Sequence, residues 1–192
     1  MKIKKGEFGY IRSQKIKRFI RMLIFWAIDF GIFAVGLKLN HGERRNIYTI
    51  IAALGCIPGA MATVSVFMIF RCRSMSEELY REIAAHVGEL PVLYENYFTT
   101  YEKNLFVDAM VLCGETAVGY TETNLGTREL HFFEEHIRKQ LAAAGYRVAV
   151  KIFSTGTKKN FLERADQMAA RKEELEMERD PLAVQVLQQI TL

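Results

Sequence analysis

Apolar residues are concentrated in two long runs in the first part of the chain. The second run, Ile47 to Phe70, has 24 residues and no charged side chain. At about 1.5 Å per residue, a helix of this length exceeds the roughly 30 Å hydrocarbon core of a bilayer. The first run, Phe19 to Leu37, is only slightly shorter and has Asp29 near its middle. The pattern predicts a two-helix transmembrane hairpin over residues 19–70, with spans at 19–37 and 47–70.

Two alternatives to membrane spans exist for these runs. A cleaved signal peptide has a short basic region, an apolar region of about 7 to 15 residues and a cleavage site between small residues. Here a long basic segment comes first, Asp29 interrupts the apolar run, and a second run follows the short loop Lys38 to Asn46. A buried core helix of a soluble protein is the alternative for Ile47 to Phe70, but such folds rarely contain uncharged runs of this length.

Charge is distributed unequally around the hairpin. Up to Arg73 the chain has 13 basic and 3 acidic residues, and the remainder has 13 basic and 19 acidic residues. Nine of the basic residues flank the hairpin on its outer sides, and three lie in the loop. By the positive-inside rule, both termini are expected in the cytoplasm of a multi-pass cell-membrane protein. Residues 1–18 then form a basic cytoplasmic segment facing anionic lipid, and a nucleic-acid partner is not needed to explain the charge.

The predicted spans contain three unusual features. Gly55 and Gly59 form a G-x-x-x-G pattern that permits close approach of another helix, either the first span or a second copy of the protein. Pro58 lies between them, removes a backbone donor and is expected to kink the span. Asp29 costs about 2.5 to 3.5 kcal/mol at mid-bilayer, which the surrounding apolar residues offset. We expect Asp29 to be hydrogen-bonded to Thr49 or to another hydroxyl of the second span.

Residues 74–192 are numerous enough for one cytoplasmic domain with its own core. Ser74 and Glu77 form a capping box before the first helix, Thr157 is a candidate cap of a later one, and Asp180-Pro181 opens the last. Short turns at 102–104 and 113–115 predict an antiparallel meander. The predicted order is α-β-β-β-α-β-α-α, a four-stranded mixed sheet with helices. The elements are expected at about 75–87, 94–101, 105–112, 116–121, 128–144, 146–153, 158–179 and 180–190.

A histidine- and glutamate-rich segment on the second helix of the domain resembles a metal-binding motif. His131 and Glu135 share one helix face, but His136 is rotated away from His131 and cannot readily join them on one ion. Phe133 belongs to the core stripe, which places the charged residues on the outer side. We therefore expect a solvated polar face and no metal site.

The segment from Ser154 to Lys159 lies between a predicted strand and a predicted helix. Its amides and the side chains of Thr157, Lys158 and Lys159 are candidates for phosphate binding. The segment lacks the G-x-x-x-x-G-K-[ST] pattern of a nucleotide-binding loop, so helix capping is the preferred explanation. The three cysteines are odd in number and have no metal-ligand spacing, and Cys113 is expected to be an unreactive thiol.

The α-β-β-β-α-β order over about residues 75–153 resembles the restriction-endonuclease-like fold. The resemblance implies an acid on one strand and a D/E-x-K motif on the next, which together hold and assist a magnesium ion. Asp108 matches the first acid. The following strand, Ala117 to Glu122, has no D/E-x-K motif and no lysine. The match therefore covers topology and one residue, and topology alone does not determine function.

The sequence predicts a two-pass integral membrane protein whose α/β domain is an interaction, sensing or assembly module with no catalytic residues and no cofactor. Its expected partners are the bilayer, a second copy or membrane protein through the hairpin, and an unidentified protein at the domain. One alternative is a divergent or catalytically incomplete restriction-endonuclease-like domain tethered to the membrane. The other is a small transport or channel component that uses Asp29.

Overall fold

The computed structural model describes residues 3–100, 103–175 and 180–191. The chain divides into two compact units, of which one comprises residues 11–73. The described residues before Ile11 group with those after Arg73 in the second unit. Within the basic segment, residues 3–10 thus group with the α/β fold, and helix continues from Tyr10.

The first unit consists mainly of two helices, α1 (Tyr10–Leu39) and α2 (Ile47–Phe70). Both are long and apolar enough to cross a membrane. Helix α1 begins nine residues before the predicted span, since basic and polar residues continue the same helix. Helix α2 has the predicted bounds, begins at the cap Asn46, whose side chain accepts a hydrogen bond from Thr49 N at 2.9 Å, and continues through Pro58.

The α/β unit contains the predicted four-stranded mixed sheet with helices. Strand order is β1-β2-β3-β4; β1, β2 and β3 are antiparallel neighbours, and β4 is parallel to β3. The first elements are α3 (Glu77–Val87), β1 (Val92–Thr99), β2 (Asn104–Cys113), β3 (Thr116–Thr121) and α4 (Thr127–Ala143). They are followed by β4 (Ala149–Ser154), a 3-10 turn (Thr155–Thr157), α5 (Lys158–Ala170), α6 (Lys172–Leu175) and α7 (Asp180–Ile190).

Each face of the sheet has its own hydrophobic core. On one face α4 and α7 pack on residues such as Met110 and Leu112, and on the other α3 and α5 pack on residues such as Val111 and Tyr120. The alternation of Met110, Val111 and Leu112 between the two cores follows from the two-residue side-chain period of a strand. A strand buried on both faces explains why β2 is nearly continuously apolar.

Several element boundaries differ from the prediction. Ser76, not Ser74, caps α3 by accepting a hydrogen bond from Leu79 N at 3.3 Å. Strand β4 begins at Ala149 instead of Tyr146, because Tyr146 N donates to Leu141 O and completes the end of α4. The long helix predicted over residues 158–179 ends at Ala170, and only a short helix follows.

Some predicted positions lie outside the described residues. These are Tyr101 at the end of the first predicted strand, Glu102 in the following turn, and residues 176–179 at the end of the third predicted helix. Strand β1 lies at Val92–Thr99, shifted from the predicted 94–101, and the last helix has the predicted bounds.

The outer edge of β1 is covered by both ends of the α/β unit. Tyr94 N donates to Gly6 O at 2.8 Å, and Phe98 forms an antiparallel bridge with Thr191. The Lys5 ammonium group donates to Thr191 O, and Gln188 Nε2 donates to Lys5 O at 3.0 Å. Burial lowers the pKa of Lys5. The lysine predicted to face lipid is thus partly buried against the α/β fold.

The opposite edge of the sheet, at β4, is closed by side chains. Glu134 Oε1 on α4 accepts a hydrogen bond from Ile152 N at 2.9 Å, and Thr157 Oγ1 accepts one from Ser154 N at 3.2 Å. Lys151 pairs with Glu134 at 3.1 Å. Glu134 is buried, so the expectation that all charged residues of this segment face outward was wrong. Covering both edges protects a sheet against pairing with other chains.

Candidate functional site

Asp29 is the most unusual polar residue of the hairpin unit. Its side chain lies on α1, and the residue is only 7% exposed. A buried carboxylate in an apolar environment is costly unless it is neutralised or paired. The contacts around Asp29 therefore define the first candidate site.

The G-x-x-x-G pair of α2 provides the space that Asp29 occupies. A Cβ atom placed on Gly55 would overlap Asp29 Oδ1, and one placed on Gly59 would lie 3.3 Å from Oδ2. The glycines thus pack against α1 of the same chain, one of the two arrangements left open by the sequence. Their lack of side chains makes room for a carboxyl group as well as for a helix backbone.

The expected hydrogen bond between Asp29 and Thr49 is not formed. The Thr49 hydroxyl lies 3.3 Å from Asn46 Oδ1, to which it donates. Thr63 Oγ1 donates to Gly59 O at 2.9 Å and accepts from Trp26 Nε1 at 3.0 Å. In the described part of the chain, no group donates a hydrogen bond to Asp29 Oδ2.

A pocket of about 220 Å³ opens beside this carboxylate, within the hairpin unit. The residues that line it include Trp26, Asp29, Phe30, Phe33, Thr49 and Cys56. Trp26 and Phe30 lie with their ring centroids 5.8 Å apart. Asp29 Oδ2 is itself buried, so the pocket presents an almost wholly apolar surface.

The end of the hairpin where α1 begins and α2 ends is basic. Arg18 Nη1 donates to Ser65 Oγ at 3.2 Å, and Lys15 Nζ lies 5.9 Å from the centroid of the Phe70 ring. Burial raises the pKa of the Cys72 thiol, although Lys15 and Arg18 act in the opposite direction. The shift disfavours the thiolate, so Cys72 is a weak nucleophile.

Asp108, the acid that matches the restriction-endonuclease-like pattern, is completely buried in β2. Its Oδ2 atom accepts a hydrogen bond from Glu122 N at 2.7 Å, just after β3. The regular alternation of side chains between the two faces of β2 is interrupted here. Val107 and Met110 are three positions apart, which would place them on opposite faces, but both face the same core. Such an irregularity redirects the side chain between them. Asp108 therefore anchors the loop that follows β3.

Glu95 is a second buried acid that the sequence analysis missed. The register pairs Tyr94 with Ala109 and Asn96 with Val107, and Glu95, with a φ of 55°, lies between these pairs. Its Oε1 atom accepts a hydrogen bond from Met75 N at 3.1 Å, just before α3. The available signal was an acidic residue between aromatic positions of a strand. Nothing in the strand pattern indicated which backbone group it would bind.

The predicted phosphate-binding segment is internally hydrogen-bonded. Thr157 Oγ1 donates to Ser154 O at 3.1 Å, and it makes no capping hydrogen bond to α5, contrary to the expectation. Lys158 pairs with Glu82 of α3. Lys159 is exposed.

The metal-like segment of α4 is divided between its faces. His131 is exposed, Glu135 pairs with Arg138 at 3.3 Å, and Phe133 is buried as expected. Within the ranges that the structure describes, no three His, Cys, Asp or Glu side chains are arranged to hold a metal ion. Cys113 is buried at the end of β2.

Comparisons of the chain with family models, curated proteins and solved structures give no match.

Proposed function

We propose that this chain is a two-pass integral membrane protein with both termini in the cytoplasm, where the α/β unit is an interaction or assembly module. The observation that carries the proposal is the exposure of apolar side chains on α1 and α2. Among the exposed large hydrophobic residues of the described chain, nine lie on α1, ten on α2 and two elsewhere. Helices of this kind need lipid as their solvent, because water around such a surface is unfavourable.

The composition of the α/β unit supports placing both termini on the same side of the membrane. This unit combines residues that precede α1 with residues that follow α2. Segments that pack into one fold lie on one side of a bilayer, which requires an even number of crossings. The nine basic residues outside the hairpin, against three in its loop, favour the cytoplasmic side.

The interaction role is supported by the way the α/β unit uses its buried acids. Asp108 and Glu95 accept hydrogen bonds from backbone groups at the beginnings or ends of elements. Strand β3 has neither the acid nor the lysine of the nuclease pattern. Phe132 and Leu182 are the large apolar side chains exposed on this unit among the described residues, and they are candidates for contact with a protein partner.

Membrane insertion is tested by expressing the full chain and washing the membranes with alkaline carbonate. We expect the protein to stay with the membranes and to float with liposomes after reconstitution. Release of the protein into the soluble fraction would contradict the proposal.

The interaction role is tested against the nuclease alternative with the reconstituted protein. We expect no Mg²⁺-dependent hydrolysis of a DNA phosphodiester bond by the wild type above the background of an Asp108→Asn variant. Hydrolysis by the wild type that is lost in this variant would favour the enzyme. A surface substitution, Glu135→Gln, is the matched control.

A further inference from the structure

We propose that the groove between α1 and α2 at Arg18 and Arg21 binds one anionic phospholipid, with its phosphate at the arginines and an acyl chain along the apolar remainder. The groove has a volume of about 290 Å³ and lies wholly within the hairpin unit. This inference rests on the proposed membrane insertion of the hairpin. It goes beyond that proposal, because the general attraction of basic residues to an anionic membrane surface needs no groove.

The first argument is the order of the side chains along the groove. Its charged and hydroxyl residues, Arg18, Arg21 and Ser65, lie toward the end of the hairpin where α1 begins and α2 ends. On α1, the lining residue Phe25 lies four residues beyond Arg21. On α2, Met61 lies four residues before Ser65, so the apolar lining is about 6 Å deeper in the predicted span. A phospholipid has the same order, from its phosphate to its acyl chains.

The second argument is that the hairpin unit has no carboxylate at this end. The unit contains two acids, Asp29 and Glu43. Asp29 is buried about 12 Å beyond Arg21 along α1, and Glu43 is in the loop at the opposite end. Arg18 donates to the neutral Ser65 hydroxyl at 3.2 Å, which leaves its positive charge uncompensated. A lipid phosphate supplies the negative charge that the unit lacks here.

The third argument is that the basic groups and the apolar end of the groove are both accessible. Arg21 is exposed and Arg18 is half-buried. The two arginines are three residues apart and so lie on one face of α1, where both can donate to the same phosphate. The lining residue Met61 is itself exposed, so a second acyl chain can remain among the surrounding lipids.

Native mass spectrometry of the full-length protein in detergent counts the phospholipid molecules that stay bound. The protein is titrated with dioleoylphosphatidylglycerol, and dioleoylphosphatidylcholine is the zwitterionic control. We expect one phosphatidylglycerol molecule to bind at least about fivefold more tightly than phosphatidylcholine. Arg21→Gln is expected to remove this preference. Arg12→Gln removes an exposed charge of the same helix outside the groove and is expected to keep it.

A water-soluble head group separates a lipid site from a site for any phosphate. Glycerophosphoglycerol has the same phosphodiester without acyl chains, and we expect it to compete at least about tenfold more weakly than the lipid. Equal competition by the head group, equal binding of the two phospholipids, or the same loss in Arg12→Gln and Arg21→Gln would overturn the inference. Each of these results would leave membrane insertion intact. Release of the protein from membranes by alkaline carbonate would overturn both.

Discussion

At the scale of single residues, the hairpin is held together by complementary shapes at Asp29 and Gly55. The carboxyl group occupies a volume that any side chain at Gly55 would fill. Gly31 of α1 has open space around the position of a Cβ atom. The same substitution at these two glycines therefore separates the effect of overlap from the general effect of alanine in a helix.

Gly55→Ala is expected to destabilise the hairpin by about 1 to 3 kcal/mol, because the added methyl group overlaps the Asp29 carboxyl group and displaces it. Gly31→Ala is expected to be neutral or slightly stabilising. Thermal unfolding of both variants in the same detergent gives the comparison. A Gly55→Ala variant as stable as Gly31→Ala would contradict the described packing.

Tyr94 provides a residue-scale test of the α/β unit. Burial, assisted by the neighbouring Tyr80, raises the pKa of Tyr94 to about 12. The folded state therefore favours the neutral phenol. The resulting contribution of Tyr94 to the free energy of unfolding is fully present below the pKa of about 10 in the unfolded state. It is lost as the pH rises through the pKa of the folded state.

We expect the melting temperature of the wild type to fall between about pH 10 and pH 12 more steeply than that of Tyr94→Phe. Circular dichroism of both proteins across this range measures the difference. Parallel pH profiles would show that Tyr94 is not responsible.

Some of these features could be predicted from the identity of single residues, and others could not. Asp29, Gly55 and Gly59 were visible because each is unusual in an apolar helix. Their mutual contact was not visible, since it depends on which faces of α1 and α2 meet. Glu95 and Glu134 were missed because hydrophobic periodicity assigns acids to the outside, whereas both accept hydrogen bonds from buried backbone groups.

At the scale of elements, the helices and strands follow the periodic pattern, and their ends follow local hydrogen bonds. The order of elements and the mixed sheet could be predicted from apolar spacing and turn residues. The start of β4 could not, because Tyr146 N is used to finish α4. The predicted cap of α3 was wrong by two residues, because Ser74 and Ser76 carry the same hydroxyl group and the sequence does not distinguish between them.

Glu134→Ala tests the closure of the sheet edge. Removing this side chain leaves Ile152 N–H without its acceptor, which is expected to cost about 1 to 3 kcal/mol. Glu135→Ala on the next position removes only a surface pair with Arg138 and is expected to change stability by less than about 0.5 kcal/mol. Chemical denaturation of both variants provides the measurement, and equal stabilities would contradict the role of Glu134.

At the scale of the whole molecule, the segment before α1 is part of the α/β fold. The stacked rings of Phe8 and Tyr80, with centroids 4.2 Å apart, and the hydrogen bond from Tyr94 N to Gly6 O hold it there. Charge counting predicted that this basic segment faces lipid. It could not predict that the segment packs on the α/β fold, because a list of lysines and arginines contains no information on tertiary packing. The same packing strengthens the argument that both sides of the hairpin belong to one compartment.

Gly6→Ala and Gly9→Ala test this attachment. Both glycines have a positive φ, so alanine causes backbone strain at each. Only at Gly6 would the methyl group also come within 2.6 Å of Leu93 Cδ2. We expect Gly6→Ala to destabilise the α/β unit by about 1 to 3 kcal/mol more than Gly9→Ala in thermal unfolding. Equal losses would show that the segment is not docked at Leu93.

The central claim is that α1 and α2 cross a bilayer and leave both termini in the cytoplasm. The three native cysteines are first replaced, and single cysteines are then introduced by Glu7→Cys, Glu43→Cys or Gln189→Cys at exposed positions. Intact cells are treated with a membrane-impermeant maleimide. The account predicts labelling at position 43 alone, and labelling at 7 and 189 only after permeabilisation. Labelling of 7 or 189 in intact cells, or protection of 43, would contradict it.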